Sequence, residues 1–193
     1  MAGTGNGRRI RQTKIKENFM KKLFLAIVAV LLATTLQAKA KELIVYYSYS
    51  GNTRTVAEAI RAKTKADIFE IKVKENYSDD YHTMTRQARD QIEQGYRPEL
   101  TVSIAGLSEY DTIFLCSPNW WSTIALAVSS FLDNYDLSGK KIIPVITHGG
   151  YGVQNTIKDM TAQCNGCNVE QNGWVGENAD TTGLDEWLSK VRN

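Results

Sequence analysis

Leu43–Thr53 reads LIVYYSYSGNT, and RTVAEAIRAKT follows at Arg54–Thr64. The apolar run has no polar break, as in a strand buried on both faces. The later run sets Val56, Ala57 and Ile60 on one helical face. Between the two, Ser48, Ser50, Asn52 and Thr53 crowd around Gly51, more hydrogen-bonding groups than a simple turn needs. Gly51 permits an unusual backbone conformation and close approach. Hydroxyls and a side-chain amide can donate to an anion, and the following helix N-terminus favours negative charge by roughly 0.3–2 kcal/mol. These are the parts of a phosphate cradle. No Gly-Lys-Ser/Thr follows, so the loop is not a Walker A motif, nor is it GxGxxG. It contains no Lys or Arg. A capped strand-to-helix turn would look similar, and the stretch alone leaves both readings open.

The same two periods alternate along the chain beyond it. Strands are expected at Lys41–Tyr47, Asp67–Val73, Asp111–Ser117, Lys141–Thr147 and Asn168–Val175. Helices are expected at Thr53–Lys65, Ser78–Gln94, Thr123–Asn134, Gly152–Gln163 and Thr182–Val191. DIFEIKV (67–73) alternates, as an edge strand does, whereas DTIFLCS (111–117) and KIIPVIT (141–147) are nearly continuous apolar runs, with Pro144 an irregularity. Ser78, Asp79 and Asp80 suit a helix start, and Gly95 with Pro98 suits its end. Such alternation implies right-handed crossovers and a parallel sheet covered on both faces. The economical reading is a single α/β domain over residues 41–193, a doubly wound sheet of five parallel strands.

The first 40 residues are of another kind. Met20 opens MKKLFLAIVAVLLATTLQAKA, with a basic start at Lys21 and Lys22 and an apolar run at Leu23–Leu36. That run is short for a membrane span, and Ala38-Lys39-Ala40 fits a cleavage site. A signal peptide over residues 20–40, cleaved after Ala40, is expected. It would place the mature domain in the periplasm or outside the cell, free of the membrane. A buried N-terminal helix or an uncleaved anchor is the alternative. Residues 1–19 form a polar, basic extension, either ahead of a true start at Met20 or serving as a long n-region. Arg8-Arg9 lacks the rest of a twin-arginine signal. These 40 residues hold eight of the chain's 23 Lys/Arg and one of its 21 Asp/Glu. The remaining 15 basic and 20 acidic residues give residues 41–193 a formal net charge of −5, which argues against a nucleic-acid surface.

Cys116 lies in an apolar run and reads as a buried small hydrophobe. Cys164 and Cys167 form CNGC after a helix-like run and before a strand-like one, so a turn is favoured over a redox-active motif. In an exported protein a local disulfide is possible there. A single CxxC is too few ligands for zinc, and no metal site is expected.

In open α/β sheets, ligands bind beyond the carboxyl ends of the strands. SPNWWST (117–123) ends the third strand and THGGYG (147–152) the fourth. Adjacent Trp120 and Trp121 suit a flat aromatic ligand, with stacking worth about 1–3 kcal/mol per ring, or one of them covers the end of the core. His148 reads as a residue that holds its loop by hydrogen bonds rather than as a general acid. Ser117 or Ser122 with His148 could be imagined as a hydrolase pair, but no GxSxG elbow is present. The end of the second strand, KENYSDD (74–80), reads as solvated.

SYSGNT, SPNWWST and THGGYG, in that order at three strand ends, resemble the flavodoxin family, and within it the subfamily with P-x-W-W and T-H-G-G loops. The resemblance covers Lys41–Asn193. It implies strand order 2-1-3-4-5 and noncovalent FMN. By position, Ser48, Ser50, Gly51, Asn52 and Thr53, with Tyr49 among them, would hold the FMN phosphate. Pro118, Asn119, Trp120, Trp121, Ser122 and Thr123 would line one side of the isoalloxazine. His148, Gly149, Gly150, Tyr151 and Gly152 would line the other. Ser122 departs from the Gly that often follows the Trp pair. No long insertion splits the fifth strand, so the chain resembles the short form.

The resemblance implies an FMN-dependent electron carrier, serving a redox partner protein or a small-molecule acceptor, with no catalytic residue of its own. Aromatic walls and net negative charge should lower the flavin potential. An NAD(P)H-dependent reductase of quinones or other small molecules is the alternative on the same fold. A binding module that has lost FMN is the third reading.

Overall fold

The structure, a computed structural model, describes residues 20–22 and 40–192. The chain divides into two units at Lys39/Ala40. Of the first, Met20–Lys22 is described and is helical. Residues 23–39 of the expected signal peptide and the 1–19 extension lie outside the described residues.

The second unit is a doubly wound α/β domain. Its strands are β1 (Glu42–Tyr46), β2 (Asp67–Glu70), β3 (Thr112–Trp120), β4 (Thr123–Ile124), β5 (Lys141–His148), β6 (Asn168–Val169) and β7 (Trp174–Glu177). Its helices are α1 (Asn52–Thr64), α2 (Tyr81–Glu93), α3 (Leu126–Asn134), α4 (Thr156–Gln163) and α5 (Leu184–Val191). The sheet runs β2-β1-β3-β5-β6, with β7 also paired to β5. All these pairs are parallel. This is the expected order, with β5 as the fourth strand and β6 and β7 together as the fifth.

Strand alternation sends neighbouring side chains to opposite faces. Leu43, Val45, Ile113, Leu115, Ile142 and Ile146 pack with Met84, Ala88, Val128, Phe131 and Met160 of α2, α3 and α4. Ile44, Tyr46, Phe114, Cys116, Ile143 and Val145 pack with Val56, Ala57 and Ile60 of α1 and Leu184 and Leu188 of α5. The uninterrupted apolar sequence of the central strands is thus explained, since both faces are covered. Cys116 is fully buried, as expected, and burial pushes its thiol pKa far above the usual range.

Two departures from the expected elements have local causes. The fifth strand is broken between Val169 and Trp174. The carbonyls of Lys140, just before β5, and of Ile142 within it accept from Asn168 and Glu170, so even-numbered positions face the fifth strand. Pro144 therefore withholds an N–H on that side, at the point where pairing lapses. Gly173 closes the gap; a Cβ there would stand 2.7 Å from the Pro144 carbonyl oxygen.

The third strand runs on through the expected loop to Trp120 and turns back as β4, with Asn119 opposite Ile124 and Trp120 opposite Thr123. Trp121 and Ser122 form the two-residue connection at φ 51° and 70°, the sign pattern of a type I′ hairpin turn. The helix expected from Thr123 consequently begins at Leu126. Helices expected from Gly152 and Thr182 likewise begin later, at Thr156 and Leu184, after the loops have turned. At α2 the capping expectation is met by Asp80, whose carboxylate accepts from the Thr83 N–H at 2.8 Å.

Cys164 and Cys167 are disulfide-bonded across the turn from α4 to β6. The turn meets the loop before β5, where Gly139 donates to the Gly166 carbonyl at 2.8 Å. It sits at the amino-terminal end of β5, away from the strand ends discussed next.

Candidate functional site

The ends of β1, β3 and β5 converge on one cleft of about 690 Å³. Tyr49, Ser50 and Asn52 line it from the first loop. Pro118, Asn119, Trp120, Trp121 and Ser122 line it from the hairpin, and His148, Gly149 and Tyr151 from the loop after β5. Ser48, Gly51, Thr53, Thr123, Gly150 and Gly152 do not line it; they shape the loops behind.

The first loop keeps its helix end open. Gly51 stands before α1 at φ 92°, and no side chain caps the helix. The Gly51 carbonyl accepts from Thr55, leaving the amides of the first turn turned toward the loop. Ser48 Oγ accepts from the Gly51 N–H at 3.1 Å and tightens the turn. Thr53 is buried, its hydroxyl 2.8 Å from that of Thr147 under the cleft. Arg54, which follows the loop in sequence, is drawn off to Glu70 and to the Tyr46 hydroxyl. An anion here meets amides and neutral side-chain donors, with no cationic side chain in the loop.

The two tryptophans part company. Trp120 is 8% exposed and packs edge-on against Tyr47, Tyr49 and Tyr77, with ring centroids 5.6, 6.3 and 5.1 Å away. It covers the end of the core and presents only part of itself to the cleft. Trp121 is 53% exposed. Its indole N–H donates to the Thr85 carbonyl on α2 at 2.8 Å, and the Arg89 guanidinium lies over one ring face at 5.3 Å.

The hairpin is also fastened to the loop after β5. Asn119 Nδ2 donates to the Gly152 carbonyl at 2.7 Å, and the Asn155 N–H donates to the Ser122 carbonyl at 3.1 Å. His148 Nδ1 accepts from the Gly150 N–H at 3.0 Å, and its carbonyl accepts from Asn178 at 2.7 Å. The histidine thus holds its loop, as its sequence context suggested. Neither serine imagined as a hydrolase partner is bonded to His148: Ser117 Oγ is fully buried, donating to Pro118 O and accepting from the Ala125 N–H, both at 2.9 Å, and Ser122 Oγ donates to Gln154 Oε1 at 3.3 Å.

Several lining residues were not anticipated. α2 supplies Tyr81, Met84, Thr85 and Ala88, and Thr147, Gln154 and Asn178 complete the wall. The i, i+3, i+4, i+7 spacing of the α2 set is that of one helical face. The KENYSDD segment, read as solvated, is part of the surround. Tyr77 packs edge-on against Trp120, and Ser78 accepts from the Tyr49 hydroxyl through its carbonyl. Desolvation, then the Asp79 and Asp80 carboxylates, raises the Tyr49 phenol pKa.

A doubly wound sheet with an uncapped helix end, a tryptophan hairpin and a glycine-rich loop around one cleft defines a class of α/β ligand-binding protein. A family model described as Flavodoxin matches residues 41–191, and the chain belongs to the flavodoxin family. Among solved structures it is similar to a flavoprotein in complex with FMN from Lactobacillus acidophilus, at 28% identity and TM-score 0.62, covering 77% of this chain and 99% of that one. A candidate flavoprotein from Bacteroides uniformis matches at 24% identity and TM-score 0.70, covering 79% and 99%. One from Bacteroides eggerthii matches at 22% identity and TM-score 0.69, covering 80% and 99%. No curated protein sequence is significantly similar to the chain.

Proposed function

We propose that residues 41–193 bind FMN noncovalently and act as a flavodoxin-type electron carrier. The observation that carries this reading is the uncapped α1 N-terminus, set beside a cleft with aromatic walls. The first accepts a phosphate through amides, Ser50 and Asn52; the second accepts a flat ring. The FMN complex of the Lactobacillus acidophilus flavoprotein supports it. Bound there, FMN supplies reversible one- and two-electron transfer.

In this reading Ser48, Gly51 and Thr53 set the loop's shape, and Ser50 and Asn52 meet the phosphate. The hairpin and the His148–Gly152 loop flank the ring, and Trp121 and Tyr151 are its exposed edges. The net charge of −5 should lower the potential of the bound flavin. The electron partner is a protein or small-molecule acceptor, and residues 20–40 direct the domain across a membrane before cleavage after Ala40.

The test is the colour of the purified mature domain. Bound yellow flavin, with its fluorescence quenched and a 1:1 stoichiometry, is expected; a folded protein that takes up no FMN sinks the reading and favours a binding module that has lost it. Ser50→Ala and Asn52→Ala should each weaken FMN binding by roughly ten- to a hundredfold, the value of a hydrogen bond to a charged group. N-terminal sequencing of the exported protein should begin at Lys41.

One observation keeps a reductase in view. The rings of Trp121 and Tyr151 stand open at the cleft mouth, 53% and 84% exposed, so a small molecule can reach the site. Rapid bleaching of bound flavin by NADPH, with turnover on a quinone, would favour an NAD(P)H-dependent reductase over a carrier.

A further inference from the structure

Lys41, the residue that would begin the chain after cleavage behind Ala40, is held at every polar group it has. Its backbone N–H donates to Asp111 Oδ2 at 3.1 Å. Its carbonyl accepts from the Asp111 N–H at 3.0 Å and from the Thr112 N–H at 3.4 Å. Its side-chain ammonium donates to Glu109 Oε2 at 2.8 Å, stands 3.8 Å from Asp67 Oδ2 and lies 4.3 Å from the Tyr110 ring centroid. Tyr110 in turn donates its hydroxyl to Asp67 at 2.7 Å. The Asp111 carbonyl accepts from the Lys141 N–H at 2.9 Å. Lys41, Asp111 and Lys141 thus stand in a row at the amino-terminal ends of β1, β3 and β5, the end of the sheet away from the cleft.

Three carboxylates therefore face one residue, and they are not matched alike. Glu109 and Asp67 are paired with the Lys41 side chain. Asp111 has no cationic side chain within 4 Å among the described residues. Lys140 and Lys141, at the start of β5, direct their ammonium groups to carbonyls instead, on Tyr110 at 2.6 Å and on Val191 at 2.7 Å. In the uncleaved chain the Asp111 carboxylate meets only a neutral amide N–H. Hydrolysis of the Ala40–Lys41 bond changes the charge on that nitrogen and need not move it. One water is consumed; its oxygen completes the Ala40 carboxylate, and both its protons end on the Lys41 nitrogen. That nitrogen is an ammonium at neutral pH, because α-amines titrate near about 8.

We propose that Asp111 receives the α-ammonium of the mature chain, so that cleavage after Ala40 fastens the start of β1 with an ion pair the longer chain cannot form. The proposal rests on the cleavage reading above and assigns that cleavage a structural consequence. Ala40 and Lys41 are both exposed, which leaves the bond between them open to a peptidase and makes the new contact a surface pair, modest in strength. Its position gives it leverage. β1 is an interior strand, paired on one side with β2 and on the other with β3, so a charge fixed at its first residue holds the end of both ladders.

The experiment compares the processed chain, beginning at Lys41, with the same chain acetylated at its α-nitrogen, which returns that nitrogen to a neutral amide. Both core clusters lie within residues 43–191, so the processed chain keeps them whole. Each form is unfolded in urea at low salt, with Asp111 and with Asp111→Asn. With Asp111, the free amine should raise the folding equilibrium constant about two- to fivefold over the acetylated form, the range of an exposed ion pair. In Asp111→Asn, whose side-chain oxygen still accepts from an N–H, the two forms should agree. In about 1 M salt the advantage should fade. An equal advantage in both backgrounds, or none with Asp111, would overturn the proposal and leave Asp111 an acceptor for a neutral N–H. The N-terminus of the exported protein is sequenced separately. If it begins elsewhere than Lys41, the cleavage reading fails, and a chain made to begin at Lys41 still decides the role of Asp111.

Discussion

The indole N–H of Trp121 reaches across to α2 and donates to the carbonyl of Thr85 at 2.8 Å. This one bond ties the tip of the hairpin to a helix 36 positions earlier. Its neighbour Trp120 faces inward on the same turn. The pair therefore divides two tasks, one closing the core and one reaching the rim.

Substitution should separate these tasks. Trp120→Ala removes a buried ring in contact with three tyrosines and is expected to cost about 3–5 kcal/mol of stability. Trp121→Phe keeps a ring but loses the donor, and should cost about 1 kcal/mol or less while speeding amide exchange at Asn119–Ile124. Chemical denaturation and hydrogen exchange check both. A Trp121→Phe variant as unstable as Trp120→Ala would mean the hairpin latch is part of the global core.

Ser122 holds φ 70° in a turn whose other central residue, Trp121, also has positive φ. A left-handed backbone costs a non-glycine residue about 1–2 kcal/mol. Ser122→Gly should therefore raise stability, by about 1 kcal/mol after the added freedom of the unfolded chain is counted. The melting temperature reads the change, and a fall would show that the weak Ser122–Gln154 contact at 3.3 Å outweighs the backbone term.

Thr53 and Thr147 share a buried hydrogen bond beneath the cleft. Thr53→Val strands the Thr147 hydroxyl and should cost about 1–3 kcal/mol. Adding Thr147→Val should cost less than the two single changes together, because neither hydroxyl is then left alone. Strict additivity in the double-mutant cycle would rule out a shared bond.

The Cys164–Cys167 bridge closes a short loop, so reducing it should cost no more than about 2 kcal/mol on chain-entropy grounds. It lies at the amino-terminal end of β5, remote from the cleft. The Cys164→Ser/Cys167→Ser protein should then bind FMN with unchanged affinity. A loss of affinity greater than twofold would show coupling along β5.

Asp80 caps α2, and the hydrogen bonds it accepts from Thr83 hold its carboxyl below the usual range. A depressed folded-state value means its contribution is complete above the ordinary carboxylate pKa, near 4. That contribution is lost as pH falls through the lower folded value. Asp80→Ala should flatten that acid limb of the stability profile and leave neutral-pH binding of FMN intact.

Much of this architecture is written plainly in residues 41–193. LIVYY, TIFLC and KIIPVIT read as two-sided strands, and SYSGNT closes the first of them, though taken alone it left a phosphate cradle and a capped turn both open. The hairpin was hidden for a physical reason. Type I′ turns usually announce themselves with Asn-Gly or Asp-Gly, and Trp121-Ser122 carries no such signal. β4, at two residues, is too short to show a period. The α2 wall was hidden differently. Tyr81, Met84, Thr85 and Ala88 do form a helical stripe, but Met84 and Ala88 look like core, and only the fold reveals that the stripe's upper edge emerges at the cleft. Asn178 lies after β7 and enters through its main-chain bond to His148, which no local pattern encodes.

The gap in the fifth strand beside Pro144 has a bearing beyond this domain's interior. β6 and β7 form one margin of the sheet and β2 the other, with two, four and four residues respectively. Neither margin offers a long, straight row of unpaired amides onto which a second chain could add. Short and broken margins of this kind guard a chain against pairing with its own copies while the sheet is still assembling.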